Sequence, residues 1–109
     1  MLAQYAATPY TVPVRIALGQ INPTVGDFEG NAARIVNCAR RARDGGAELV
    51  VFSELCVCGY PPRDLVEKHS FVEANCRVAS QIADSTRGIA LIVGMVTPAQ
   101  SETGKSVMN

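Results

Sequence analysis

The sequence predicts an α/β fold, and three observations carry the prediction. Short apolar runs recur at residues 14–21 (VRIALGQI), 47–52 (AELVVF) and 88–96 (GIALIVGMV), with the length of strands. The segments between them place apolar residues at intervals of three and four, the period of a helix with one buried face. Strand and helix therefore alternate, an order that yields parallel strands joined by right-handed crossovers.

Residues 1–13 (MLAQYAATPYTVP) read as a flexible leader, loosened by Pro9 and Pro13. They lack the basic start and continuous apolar stretch of a signal peptide. The first strand ends near Gln20, and NPTVGD follows as a loop with Asn-Pro and Gly-Asp as turn formers. Asp27 is placed to cap a helix over 31–44, whose apolar face is Phe28, Ala32, Ile35, Ala39 and Ala42. Gly45-Gly46 ends that helix, because glycine adopts the left-handed backbone that follows a helix terminus. The second strand, AELVVF, is continuously apolar over Leu49–Phe52, which predicts burial on both faces. Pro61-Pro62 demands an extended turn, with a short helical piece from Arg63. A second helix over 71–84 turns Phe71, Ala74, Val78 and Ile82 to one side. After the third strand, TPAQSETG is a polar turn and KSVMN begins a returning fourth strand. Such a sheet leaves an edge open and the helices poorly covered, so the expectation is a domain truncated at its C-terminal side.

Ten basic and ten acidic residues cancel over the 109-residue chain. That balance offers no electrostatic basis for binding nucleic acid or an anionic membrane. Arg40, Arg41 and Arg43 cluster late in the first helix, where they suit its negative end and a solvated face. No apolar run approaches the ~20 residues that span a bilayer. Without an export signal the expected location is the cytoplasm, and the four cysteines are expected as reduced thiols.

Glu54 ends an apolar strand, in LVVFSELCVCGYPPRDL. In open α/β sheets ligands bind beyond the carboxyl ends of the strands, so an acid there faces the functional crevice. From position alone the preferred reading is a surface carboxylate in a loop, or one paired with Arg63.

The surrounding residues resemble a known pattern. FSELCVCGYPPRDL is similar to the F-P-E-x-x-x-x-G-Y-P-P-x-D-L segment of the nitrilase (carbon–nitrogen hydrolase) superfamily. IALGQINPTVGDFEGNAARI resembles the first strand, loop and helix of the amidase domain of glutamine-dependent NAD synthetases, and LIVGMV matches their third strand. The resemblance covers residues 14–109 and implies the N-terminal portion of a four-layer α–β–β–α sandwich, here incomplete. It implies a Glu–Lys–Cys triad in which Glu54 is the general base that activates the cysteine for attack on the glutamine amide. It also implies that Tyr60 helps bind glutamine, and that the released ammonia amidates nicotinic acid adenine dinucleotide in a C-terminal domain using ATP and Mg. No cofactor is implied for the present residues, and a homo-oligomer is implied for the full-length protein. Ser53 departs from the proline usual before the glutamate. The lysine and cysteine segments have no counterpart here, and Lys105 precedes the lysine's position, so the chain alone is expected to be inactive. A stand-alone nitrilase-type amidase and a non-catalytic module pairing through its open sheet edge remain the alternatives.

Cys38, Cys56, Cys58 and Cys76 lack the paired C-x-x-C spacing of a zinc site, so no metal is expected and small buried hydrophobes is the preferred reading. Cys56 lies two residues from Glu54, but no adjacent lysine or histidine would activate it. His69 is expected as a solvated helix-start residue. The glycines form no phosphate-binding pattern.

Overall fold

The computed structural model describes residues 12–99 and 107–108. Most of the leader, including Pro9, and Lys105 at the polar turn lie outside the described residues. Strand β1 spans Ile16–Gly19, helix α1 Phe28–Asp44, strand β2 Leu49–Phe52, a 3₁₀ helix Arg63–Glu67, helix α2 His69–Ser85 and strand β3 Ala90–Ile92. Strands β4 (Thr97–Pro98) and β5 (Val107–Met108) close an antiparallel pair, so Val107 and Met108 form the expected returning strand.

The main sheet is parallel in the order β1-β2-β3, with Ile16 opposite Leu49 and Leu49 opposite Ala90. Adjacent parallel strands joined by right-handed crossovers put both helices on the same face. The core reflects this: Val50 and Phe52 from β2 join Ile35 and Ala39 of α1 and Val78 and Ile82 of α2 in one buried cluster. Each fully buried aliphatic side chain there contributes about 1.5–3 kcal/mol. Beside the 3₁₀ helix, the Phe28 and Phe71 rings meet at 5.1 Å between centroids and join the two helix starts.

The local signals explain the element ends. Asp27 accepts a hydrogen bond from Gly30 N at 3.0 Å, capping α1 three residues before the expected start. That cap is worth about 1 kcal/mol. At the other end Gly45 N and Gly46 N donate to Arg41 O and Arg43 O, and Gly46 takes φ +91°. The arginine cluster does more than face water. Arg40 and Arg43 donate to the carbonyls of Ser85 and Arg87, tying the two helix ends together.

Two expectations are corrected. Strand β2 is buried on one face only: Val50 and Phe52 are buried, whereas Leu49 and Val51 are half-exposed. On that outer face Ile16 and Leu18 of β1 and Ile92 of β3 are also exposed, because both helices cover the other side. The third strand keeps its ladder only over Ala90–Ile92. Beyond it the Gly94 carbonyl accepts from Val57 N at 3.3 Å, so the chain leaves the sheet to support a loop.

Candidate functional site

Parallel strands bring their carboxyl ends to one edge, so the segments after Gly19, Phe52 and Ile92 converge there. Ser53 and Glu54 follow β2 directly, and both are exposed. The chain then turns sharply. Leu55 adopts φ +49°, a left-handed conformation that is uncommon for a residue bearing a side chain. Gly59 N closes the turn by donating to Leu55 O at 2.8 Å. The following Leu55, Cys56, Val57 and Cys58 are all buried, so the acid stands at the exposed start of an otherwise buried loop.

The far half of this loop is held from α1. Asn31 is fully buried, and its amide binds two segments at once. Asn31 Oδ1 accepts from Thr24 N at 2.8 Å, while Nδ2 donates to Thr24 O at 2.8 Å and Val57 O at 3.1 Å. Gly26 N donates to Cys58 O at 2.9 Å. A Cβ on Gly59 would lie 2.6 Å from Val25 N and Cα, and its φ is +87°. Only glycine meets both constraints. The NPTVGD loop and the loop after Glu54 are therefore one locked unit.

Tyr60 continues the same loop and is 62% exposed, followed by a cis bond to Pro61. The structure thus places Glu54 and Tyr60 on one loop at the strand-end edge, both facing outward. Arg63 opens the 3₁₀ helix with φ +52°. His69 opens α2, is exposed, and has Nε2 3.1 Å from Glu73 Oε1. Among the described residues no group of three metal-ligating side chains converges. No helix among them is long and apolar enough to cross a membrane.

Cys56 and Cys58 are wholly buried, whereas Cys38 and Cys76 are only half-buried, so the burial expected of all four holds for two. Burial pushes both the Cys56 and Cys58 thiols up from 9.0, against weaker opposing backbone contacts. A protonated, enclosed thiol is a poor nucleophile. Cys56 is therefore no partner for Glu54, despite its proximity in sequence. Iodoacetamide at neutral pH should leave Cys56 and Cys58 unmodified in the native chain and alkylate both in urea, read by peptide mass. The same shift has a defined sign for stability. Below the unfolded value of 9.0 the thiols are protonated in both states. Above it the unfolded chain releases protons that the folded chain retains, so stability falls as pH rises.

Sequence reasoning missed two residues of this site. Asn31 belongs to the Gly-Asn pair after NPTVGD that carries the resemblance, but nothing in the sequence shows its clamping role, and Gly94 reads as part of an apolar strand. The only signal for Gly94 is a lone glycine within a strand pattern, which marks close backbone approach.

The family model for carbon-nitrogen hydrolases matches residues 15–109. A glutamine-dependent NAD(+) synthetase of Thermotoga maritima is 41% identical over 85 residues, which are 76% of this chain and 15% of that protein. Among solved structures, a glutamine-dependent NAD+ synthetase from Acinetobacter baumannii in complex with ADP superposes with a TM-score of 0.72 at 27% identity. That match covers 78% of this chain and 16% of the other. An amidase from Nesterenkonia sp. superposes with a TM-score of 0.68 at 31% identity, over 81% of this chain and 33% of the other. The chain spans about 15% of the length of the curated relative it matches.

Proposed function

Because the chain belongs to the carbon–nitrogen hydrolase family, we propose that it forms the first part of a glutamine-hydrolysing domain that supplies ammonia for NAD synthesis. The observation that carries this reading is Glu54, exposed at the carboxyl edge of the sheet on a loop anchored from α1. In this role the carboxylate takes the proton of a cysteine thiol, and the thiolate attacks the amide carbon of glutamine. A lysine stabilises the oxyanion that develops on the carbonyl oxygen. The C–N bond breaks as ammonia leaves, and water cleaves the resulting thioester to glutamate. Tyr60, facing outward on the same loop, contacts the glutamine. The cysteine and lysine belong to segments that follow these residues in the longer protein.

We assign ATP and Mg to the amidation step, and the described residues hold no glycine-rich phosphate loop. The positive-φ glycines Gly26, Gly46, Gly59 and Gly88 stand singly in separate turns, and the start of α1 is already held by the Asp27 carboxylate. Phosphate binding needs open backbone N–H groups at such a terminus. In this reading ATP and Mg serve the synthetase domain, to which the ammonia passes.

The test extends the reading frame past Asn109 and assays the product with glutamine or ammonium as nitrogen donor. NAD formation from nicotinic acid adenine dinucleotide with glutamine as well as with ammonium supports the proposal. Amide hydrolysis without NAD formation would establish a stand-alone amidase instead. Loss of both activities would favour the interaction module.

A further inference from the structure

The turn that carries Glu54 has a second anchor, on the side away from α1. A Cβ added to Gly94 would overlap Leu55 N and lie 2.9 Å from both Glu54 C and Glu54 Cα. These are backbone atoms, which cannot rotate away as a side-chain tip does. Gly94 O meanwhile accepts from Val57 N at 3.3 Å and lies 3.8 Å from Cys56 Sγ. The strand-exit segment after β3 thus lies flush against the peptide that sets the direction of the acid, and it fits only because residue 94 has no side chain.

We propose that Gly94 is a positioning residue for Glu54: its bare backbone is the surface against which the left-handed turn at Leu55 seats, and so it fixes where the carboxylate stands. The proposal rests on Glu54 being the general base. The division of anchors gives it a specific consequence. Gly94 abuts Glu54 and Leu55, Val57 is shared between Gly94 O and the Asn31 amide, and Cys58 and Gly59 are held by Gly26 and the close approach of Val25. Tyr60 follows the second group. A methyl at position 94 displaces the acid while the substrate-contacting end of the loop stays in place. Catalysis should suffer, and glutamine binding should not.

The experiment compares wild type, Gly94→Ala and Glu54→Gln in the protein carrying the synthetase domain. A displacement on the order of 1 Å costs up to about a hundredfold in rate, so Gly94→Ala should lower kcat for glutamine hydrolysis by at least roughly tenfold. Its KM for glutamine should change by less than about twofold, since binding contacts common to ground and transition state are kept. NAD formation from ammonium should match wild type, which shows that the synthetase domain is folded, and the retained KM shows the same for the glutamine-hydrolysing domain. Unchanged kcat, or a loss confined to KM, would overturn the proposal. Should Gly94→Ala yield no folded protein, Leu55→Ile decides. It conserves buried volume but sets a β-branch at φ +49°, displacing the same turn with Gly94 intact. The same kcat loss is expected there, and full kcat overturns the proposal. The Glu54→Gln control separates the two ideas. If it hydrolyses glutamine normally, the general-base reading itself fails; if it is inactive while Gly94→Ala is not, only the positioning role fails.

Discussion

If Glu54 is the general base proposed above, Glu54→Gln should nearly eliminate glutamine-dependent NAD formation while ammonium continues to support it. The substitution conserves shape and removes the negative charge, and with it the capacity to accept a proton. Because Glu54 is exposed at the start of its loop, no buried packing is lost. General-base catalysis contributes about 10²- to 10⁴-fold, so glutamine hydrolysis should fall by at least roughly a hundredfold. Ammonium bypasses the hydrolytic step, and its use should be unaffected. The check is NAD formation with each nitrogen donor in the same preparation. A parallel loss with both donors would mean that Glu54 supports the fold rather than the chemistry. Retention with glutamine would remove it from the reaction altogether.

The second large effect concerns stability. Asn31→Ala should destabilise the fold by about 2–3 kcal/mol, because it leaves the buried Val57 carbonyl without its donor and breaks two part-buried bonds to Thr24. Thr24 N loses its acceptor, and Thr24 O and Val57 O each lose a donor. The cavity admits no side chain that could replace them, since Asn31 is fully enclosed. For a domain near this size each kcal/mol shifts Tm by about 4–8 °C, so a fall on the order of 10–20 °C is expected. Thermal unfolding followed by circular dichroism measures it. Asn37→Ala, on the exposed side of the same helix, is the control and should stay within about 0.5 kcal/mol. Equal behaviour of the two variants would show that the amide clamp carries no net stability. Asn31→Asp should not rescue: it retains the acceptor for Thr24 N, gives up both donors and buries a charge.

Much of the fold was legible because its signals are local. Helix α1 was announced by Asp27 before it and Gly45-Gly46 after it, and each acts on backbone groups within one turn. The parallel sheet followed from the alternation of strand and helix, and the acid at the strand tip from the end of the apolar run. What misled was apolar character itself. The run LVVF suggested burial on both faces, but an apolar residue records only that a surface is suitable for burial, not that a partner lies against it. The run 88–96 suggested one continuous strand. Its latter half is equally apolar, yet it packs beneath a loop instead of pairing.

By itself the sequence determined the α/β class, the order and caps of the elements, and the motif that sets Glu54 beside the Gly-Tyr-Pro-Pro turn. Those properties depend on periodicity, backbone propensity and residues within a few positions of one another. Only the tertiary structure decided that the NPTVGD loop and the Glu54 loop are clasped by a single buried amide. Only it decided that Gly94 abuts the acid's own backbone, and that Cys56 is sealed away from it. The bond from Asn31 to Val57 and the contact of Gly94 with Glu54 join residues 26 and 40 positions apart. They arise when parallel strands bring distant loops to one edge, a convergence that no local pattern encodes.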